Sequence, residues 1–346
     1  MPGYGWTLIS QILFQFTVHR SAPCLAILDL AVKVGEALPL KKNRKLAFLL
    51  GAAGPLLLAS GWAQAKIVSA SESSTHRHRH HHHLLRTSDG GPGVRSEEVL
   101  VLDTTHSEVL YAKHADVPQP IASITKLLTA LVVTDAHQSL DEMLEITRED
   151  CAVGRGAASR LRVGTRLTRA DMLHLALMAS ENRAAHALAR NYPGGEPAFV
   201  LAMNAKARSL GMTTAQFVEP TGLSSDNVAS PEDLAKLVAA ASEVPLISEY
   251  STASNYTVRV GRRPVEFRTT DSLVRNPGWK ILVQKTGYIS EAGRCLVMRA
   301  QIDGSSVVLV LLNSYGKYTR VADARRVRKW MDAHLQRTAV RSANAA

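Results

Sequence analysis

From residue 96 onward the apolar and polar positions follow two different rhythms. EEVLVLD (97–103) and EVLYAKH (108–114) alternate with the two-residue period of strands joined by a short turn. Pro120 ends that extended chain, and ASITKLLTALVVTDA (122–136) has the apolar density and length of a buried helix. Farther on, Thr168 and Asp171 form a capping box for ADMLHLALMAS, and PAFVLAMNAKARSLG (197–211) reads as a helix stopped by Gly211. Ser230-Pro231 opens another helix through about Ala241. The last third returns to strands: a hairpin over 256–270, then KILVQKTG (280–287), RCLVMRAQI (294–302) and SSVVLVLLN (305–313), followed by a helix at 320–336.

Strands before and after a block of helices predict one sheet closed from both ends of the chain, with helices packed on it. That is an α/β (α+β) domain at about 95–337, with 338–346 as a flexible tail. Upstream, KKNRK (41–45) precedes the apolar stretch 46–65, which ends in the small-x-small sequence Ala63-Gln64-Ala65. This is the pattern of a cleaved export signal, at 41–65, and it implies a periplasmic protein. Residues 1–40 then read as an over-extended gene start, and the Ser-, Gly- and His-rich stretch 66–94, with its run His80 to His83, as a solvated linker rather than a metal site.

The 346 residues, 46% of them apolar, suffice for a sizeable core. The net charge of +11 invites a nucleic-acid reading, but +7 of it falls in residues 1–95 and only +4 in the remainder. A nucleic-acid footprint needs clustering on the folded part, so that class is set aside. Cys151 and Cys295 remain after the export signal, and spacing alone leaves open whether they pair.

Three short motifs carry chemistry. In Ser123-Ile124-Thr125-Lys126 the lysine lies one helical turn after the serine, so its amine can take the hydroxyl proton once desolvation and neighbouring cations depress its pKa. A second copy, Ser314 to Lys317, contains a glycine and follows a strand, so no helix would align it. Ser180-Glu181-Asn182 offers a hydroxyl to relay protons and an amide to hold substrate backbone, with Ser225-Asp226-Asn227 as a rival. Lys285-Thr286-Gly287 closes a strand, where a cation and a hydroxyl can meet a terminal carboxylate and a glycine admits substrate backbone.

In this order, at separations of 57 and 105 residues, the three motifs resemble those of the penicillin-binding and serine β-lactamase superfamily. PIASITKLLTA, LALMASENRAA, FVEPTGLS, GRCLVMRA and GKYTRVADARR resemble its D-alanyl-D-alanine endopeptidases in particular. The resemblance implies a mainly antiparallel sheet between helical layers. It implies Ser123, Lys126 and Ser180 as catalytic residues and Asn182, Lys285, Thr286, Gly287 and Tyr288 as substrate-binding ones, with the backbone N–H groups of Ser123 and Tyr288 facing an oxyanion. No metal or other cofactor enters this chemistry. The implied partners are peptidoglycan stem peptides and β-lactam antibiotics, with no nucleic acid and at most peripheral membrane contact. A carboxypeptidase would use the same residues. A β-lactamase would need a loop glutamate such as Glu219, and a non-catalytic wall-binding scaffold would rest on the basic helix with Arg320, Arg325, Arg326, Arg328 and Lys329.

Overall fold

The computed structural model describes residues 90–151 and 159–345, with side chains in the last helix through Ala333. The stretches expected to be an over-extended start, an export signal and, nearly throughout, a linker lie outside these residues.

The chain opens with strands β1 (Ser96–Asp103) and β2 (Glu108–Lys113), then a short β3 (Gln119–Pro120). A one-turn 3-10 helix, Ala122–Ile124, leads into α1 (Thr125–Asp135), which is buried from Thr125 to Val133 as its apolar run predicts. The first residues of the predicted helix are 3-10 rather than α-helical, and Ala122 there takes a left-handed φ of 48°. The pair β4 (Met143–Glu145) and β5 (Arg166–Thr168) precedes α2 (Arg169–Met178). Its capping box forms, with Asp171 N–H donating to Thr168 Oγ1 at 3.0 Å and Thr168 N–H to Asp171 Oδ2 at 3.1 Å.

Next come α3 (Asn182–Arg190), α4 (Gly195–Ser209), β6 (Val228–Ala229), α5 (Pro231–Ser242) and α6 (Pro245–Thr252). The hairpin β7 (Asn255–Val260) and β8 (Arg263–Arg268) turns at Gly261, and β9 (Lys280–Ile289), β10 (Gly293–Ile302) and β11 (Ser305–Ser314) follow. The final helix, α7 (Thr319–Ala345), runs past residue 336 into the stretch assigned to a tail. Residues 337–345 hold no Gly or Pro to stop it.

Five strands form one antiparallel sheet in the order β2-β1-β11-β10-β9, so the first strand lies beside the last. In β11 the run Val307 to Leu312 is apolar throughout because each face of the sheet has its own core. Val308, Val310 and Leu312 face the cluster built by α1 to α6, whereas Val307, Leu309 and Leu311 face Ala324, Val327 and Met331 of α7. The two-residue strand period sends alternate side chains to opposite layers, so a doubly covered strand reads as continuous.

Helix α7 is fixed to the sheet through the buried Asp323 carboxylate. Its Oδ2 accepts hydrogen bonds from the Arg95 and Ser96 N–H groups at 3.0 and 2.8 Å and from Ser96 Oγ at 2.7 Å. Cys151 and Cys295 are both free thiols, so the pairing left open by their spacing does not form. Burial pushes the Cys295 thiol up to about 11, which keeps it protonated and unreactive.

Candidate active site

Where the free edge of β9 meets the start of α1, a cleft of about 750 Å³ opens. Ser123, Ser180, Asn182, Thr286, Gly287 and Tyr288 all line it, while Lys126 and Lys285 lie fully buried beneath them. Three separate segments therefore bring the eight residues singled out from the sequence to one place.

Ser123 sits in the 3-10 turn, where residues three apart eclipse, and this sets Lys126 Nζ 2.8 Å from Ser123 Oγ. The other two contacts of that nitrogen are carbonyl oxygens, Asn182 Oδ1 at 2.7 Å and the Thr221 main-chain oxygen at 2.5 Å. Carbonyls only accept, so a neutral amine must spend both hydrogens on them, leaving its lone pair directed at the Ser123 hydroxyl. Burial holds Lys126 down to a pKa of about 7, against the opposing pull of the Glu219 and Glu181 carboxylates. Repulsion between the two buried lysines acts on both, and Lys285 is depressed as well. Burial pushes Lys285 well below its ordinary value, Lys126 and Arg320 add to that effect, and Asp271 opposes it.

Ser180 stands at the junction of α2 and α3. The Glu181 N–H reaches back to the Leu175 carbonyl at 3.1 Å, closing the end of α2 over a left-handed position that Ser180 fills at φ 59°. Glycine usually takes that position, and a side chain there costs about 1–2 kcal/mol. The strained backbone brings the hydroxyl to the cleft. Its hydrogen bond comes from Lys285 Nζ at 2.9 Å rather than from Lys126. Asn182, the first residue of α3, gives its oxygen to Lys126 and so keeps its amide N–H groups for a substrate carbonyl.

Lys285 departs from the sequence expectation of a strand-edge cation for a carboxylate. It is wholly buried, donating to Ser180 Oγ and to the Thr286 carbonyl, each at 2.9 Å. The cation at the wall of the cleft is Arg320 of α7, which lies 3.4 Å from the Gly287 carbonyl and has a buried Nε with no protein partner. Thr286 adds its hydroxyl, 2.6 Å from that of Thr270. Gly287 is required by contact: a Cβ there would lie 2.9 Å from the Ile121 carbonyl oxygen and 3.1 Å from the Ser123 nitrogen.

Two contributors escaped the sequence reading. Arg320 reads as one charge of a basic helix, and only the docking of α7 aims it at β9. Thr221 offers a main-chain carbonyl, which no side-chain pattern marks. The loop carrying it is organised by Glu219, whose carboxylate accepts from the N–H groups of Thr221 and Gly222 and from the side chains of Thr221 and Asn227. With its oxygens engaged in this way, Glu219 is not poised to activate water as a β-lactamase loop glutamate would be. Asn227 of the rival triplet is buried and braces the loop, accepting from Val218 N–H at 2.8 Å and donating to the Glu219 carbonyl at 2.9 Å.

Residues 86–316 match the model of a family described as D-alanyl-D-alanine carboxypeptidase. The chain is 51% identical over 240 residues to a D-alanyl-D-alanine endopeptidase of Pseudomonas aeruginosa, covering 68% of this chain and 77% of that protein. It is 46% identical over 248 residues to a D-alanyl-D-alanine endopeptidase of Escherichia coli, covering 71% and 80%. A DD-transpeptidase crystal structure from Streptomyces superposes with a TM-score of 0.66 at 25% identity, over 70% of this chain and 99% of that one. The chain belongs to the D-alanyl-D-alanine carboxypeptidase family, and within it stands with relatives named D-alanyl-D-alanine endopeptidases.

Proposed function

We propose that this protein is a serine DD-endopeptidase that cleaves D-alanyl cross-links between peptidoglycan stem peptides through an acyl-enzyme on Ser123, and that penicillins acylate the same serine. One observation carries the chemistry: the buried Lys126 nitrogen, held by two carbonyl oxygens, lies 2.8 Å from Ser123 Oγ. The choice of cross-linked substrate rests on the relatives named endopeptidases.

In this reading Ser123 Oγ bonds to the D-alanyl carbonyl carbon as its proton passes to Lys126. The carbon–nitrogen bond then breaks, and the proton travels through the Ser180 hydroxyl, held by Lys285, to the leaving amine. Water attacks the resulting ester, releasing the acid and returning a proton to Ser123. The backbone N–H groups of Ser123 and Tyr288 face the oxyanion, and losing one such donor costs about 3–4 kcal/mol in the transition state. Thr286 and Arg320 hold the carboxylate of the leaving residue, and the Asn182 amide holds the acyl side. A penicillin presents the same amide carbonyl, but its amine stays tethered to the acyl group. The apolar stretch and cleavage-like site at 41–65 support export to the periplasm, where this substrate lies.

The test is to incubate protein beginning at Lys66, and its Ser123→Ala variant, with purified cross-linked muropeptide dimers and uncross-linked pentapeptide monomers, following masses over time. Conversion of dimer to monomers that depends on Ser123 is expected. Loss of D-Ala from pentapeptide alone would make the protein a carboxypeptidase.

A further inference from the structure

Beside the cleft the surface is aromatic and cationic in a way that the acyl-transfer machinery does not use. Tyr315 and Tyr318 are 94% and 71% exposed, in the turn between β11 and α7. Single exposed aromatics are ordinary, but these lie in the short segment that leads from β11 to Arg320 of the cleft wall. Tyr288, Arg294 and Ser314 are cross-strand partners on β9, β10 and β11, and the Arg294 guanidinium lies 4.4 Å from the centre of the Tyr288 ring. Tyr315 follows Ser314 directly. The Lys317 ammonium lies 5.4 Å from the centre of the Tyr318 ring, and two residues later Arg320 enters the cleft wall. Tyr288 and Arg320 of the cleft are thus joined, by strand pairing and by the chain, to a segment that adds Arg294, Lys317 and two exposed tyrosines.

Which half of a substrate passes this way follows from the site. In hydrolysis of a terminal D-Ala the leaving residue ends in a carboxylate, and the groups suited to hold it are Thr286 and Arg320. The leaving-group side of the cleft is therefore the Arg320 side. When the scissile bond is a cross-link, the residue that leaves is joined to a second stem peptide, and that peptide must continue past Arg320. We propose that Tyr315, Lys317 and Tyr318, together with Arg294, form a subsite for the leaving stem peptide of a cross-linked substrate. Tyrosine rings supply flat contact area at small entropic cost, and the cations complement the carboxylates such a peptide carries. This assignment rests on the endopeptidase reading and goes beyond it by naming the surface that would favour a dimer over a monomer.

The test uses the triple variant Tyr315→Ser, Lys317→Ser, Tyr318→Ser. All three residues are exposed and none belongs to the acyl-transfer machinery. Circular dichroism and Tm would establish that it folds like the parent. Steady-state cleavage of muropeptide dimers, hydrolysis of pentapeptide monomers and the rate of penicillin acylation are then measured for both proteins. The expected result is a KM for dimer raised about tenfold, with kcat for dimer, pentapeptide hydrolysis and penicillin acylation unchanged. An unchanged dimer KM, or an equal loss with all three substrates, overturns the subsite. Weakened binding to intact sacculi with an unchanged dimer KM overturns it in favour of a glycan contact. If the parent cleaves no dimer at all, the endopeptidase reading fails and the subsite falls with it. A parent that cleaves dimer beside a triple variant of equal KM sinks the subsite alone.

Discussion

Two corners of this molecule carry the same three-residue spacing of serine and lysine, and only one of them has made it into a reactive pair. At the start of α1, Ser123 and Lys126 are brought together by a 3-10 turn, and the lysine is stripped of water and clamped by Asn182 and Thr221. At the end of β11, the buried Ser314 hydroxyl lies 2.7 Å from that of Ser96, while Lys317 stands over the Tyr318 ring beyond the strand. In the first pair a turn of helix sets a fully buried lysine under a serine that faces the cleft, whereas in the second the serine is buried and the lysine exposed. The Ser-x-Asn triplets repeat the lesson. The Asn182 oxygen meets Lys126 at the cleft, whereas Asn227 braces the loop behind it and leaves Ser225 and Asp226 exposed. Reactivity here comes from burial and from the acceptors around an amine, more than from the spacing of residue types.

Substituting the two serines tests this contrast most severely. Ser123→Ala should lower the rate of penicillin acylation by about a millionfold, the scale set by loss of a serine nucleophile, so that intact-mass spectra show no adduct. Ser314→Ala should acylate normally and cost about 1 kcal/mol in urea unfolding, for one buried hydroxyl contact. An adduct on the Ser123→Ala protein would erase the distinction between the corners.

The lysines come next. Lys126→Met should slow acylation by roughly 100- to 10,000-fold, the range for a positioned general base, whereas Lys317→Ala should leave it unchanged in stopped-flow measurements. Because Lys126 acts as a base only when neutral and its pKa is about 7, acylation should rise with pH up to about 7 and level off above it. Below that value the rate should fall roughly tenfold per pH unit. A rate still rising steadily at pH 9 would mean that burial does not depress Lys126.

The smallest effect separates the triplets. Asn227→Ala strips partners from Glu219 and from the Val218 N–H and should cost about 2 kcal/mol of stability by urea unfolding. Ser225→Ala, at an exposed turn, should stay within about 0.5 kcal/mol.

Much of the architecture could be read from local chemistry. Thr168 and Asp171 announce the start of α2 because a capping box is a contact between near neighbours. The hairpin around Gly261 and the strands flanking residue 290 follow from alternation and turn residues. Helix α3 escaped notice because NRAAHALAR mixes charges among alanines, although Ala184, Ala185, Ala187 and Leu188 are buried and His186 lies 2.9 Å from the buried Asp150 carboxylate. The backbone of Ser180 was also hidden, since a left-handed serine departs from the glycine usual at a helix end. Arg320 and the Thr221 carbonyl became visible only with tertiary docking. The eight site residues were legible because their types and spacing survive translation into sequence, whereas the partners that tune them act across loops and layers.

The neighbouring placement of the first and last strands also shapes how the enzyme comes into being. Ser96 and Ser314, in hydroxyl contact at the seam between β1 and β11, are 218 residues apart, so the central sheet cannot close until nearly the whole domain has been synthesised. Lys285 and Gly287 arrive only with β9, and the loop closures that seat them are long-range and slow. A growing chain thus carries its nucleophile for about 160 residues without the strand that makes it dangerous, and enzymatic competence emerges late, as a property of completion.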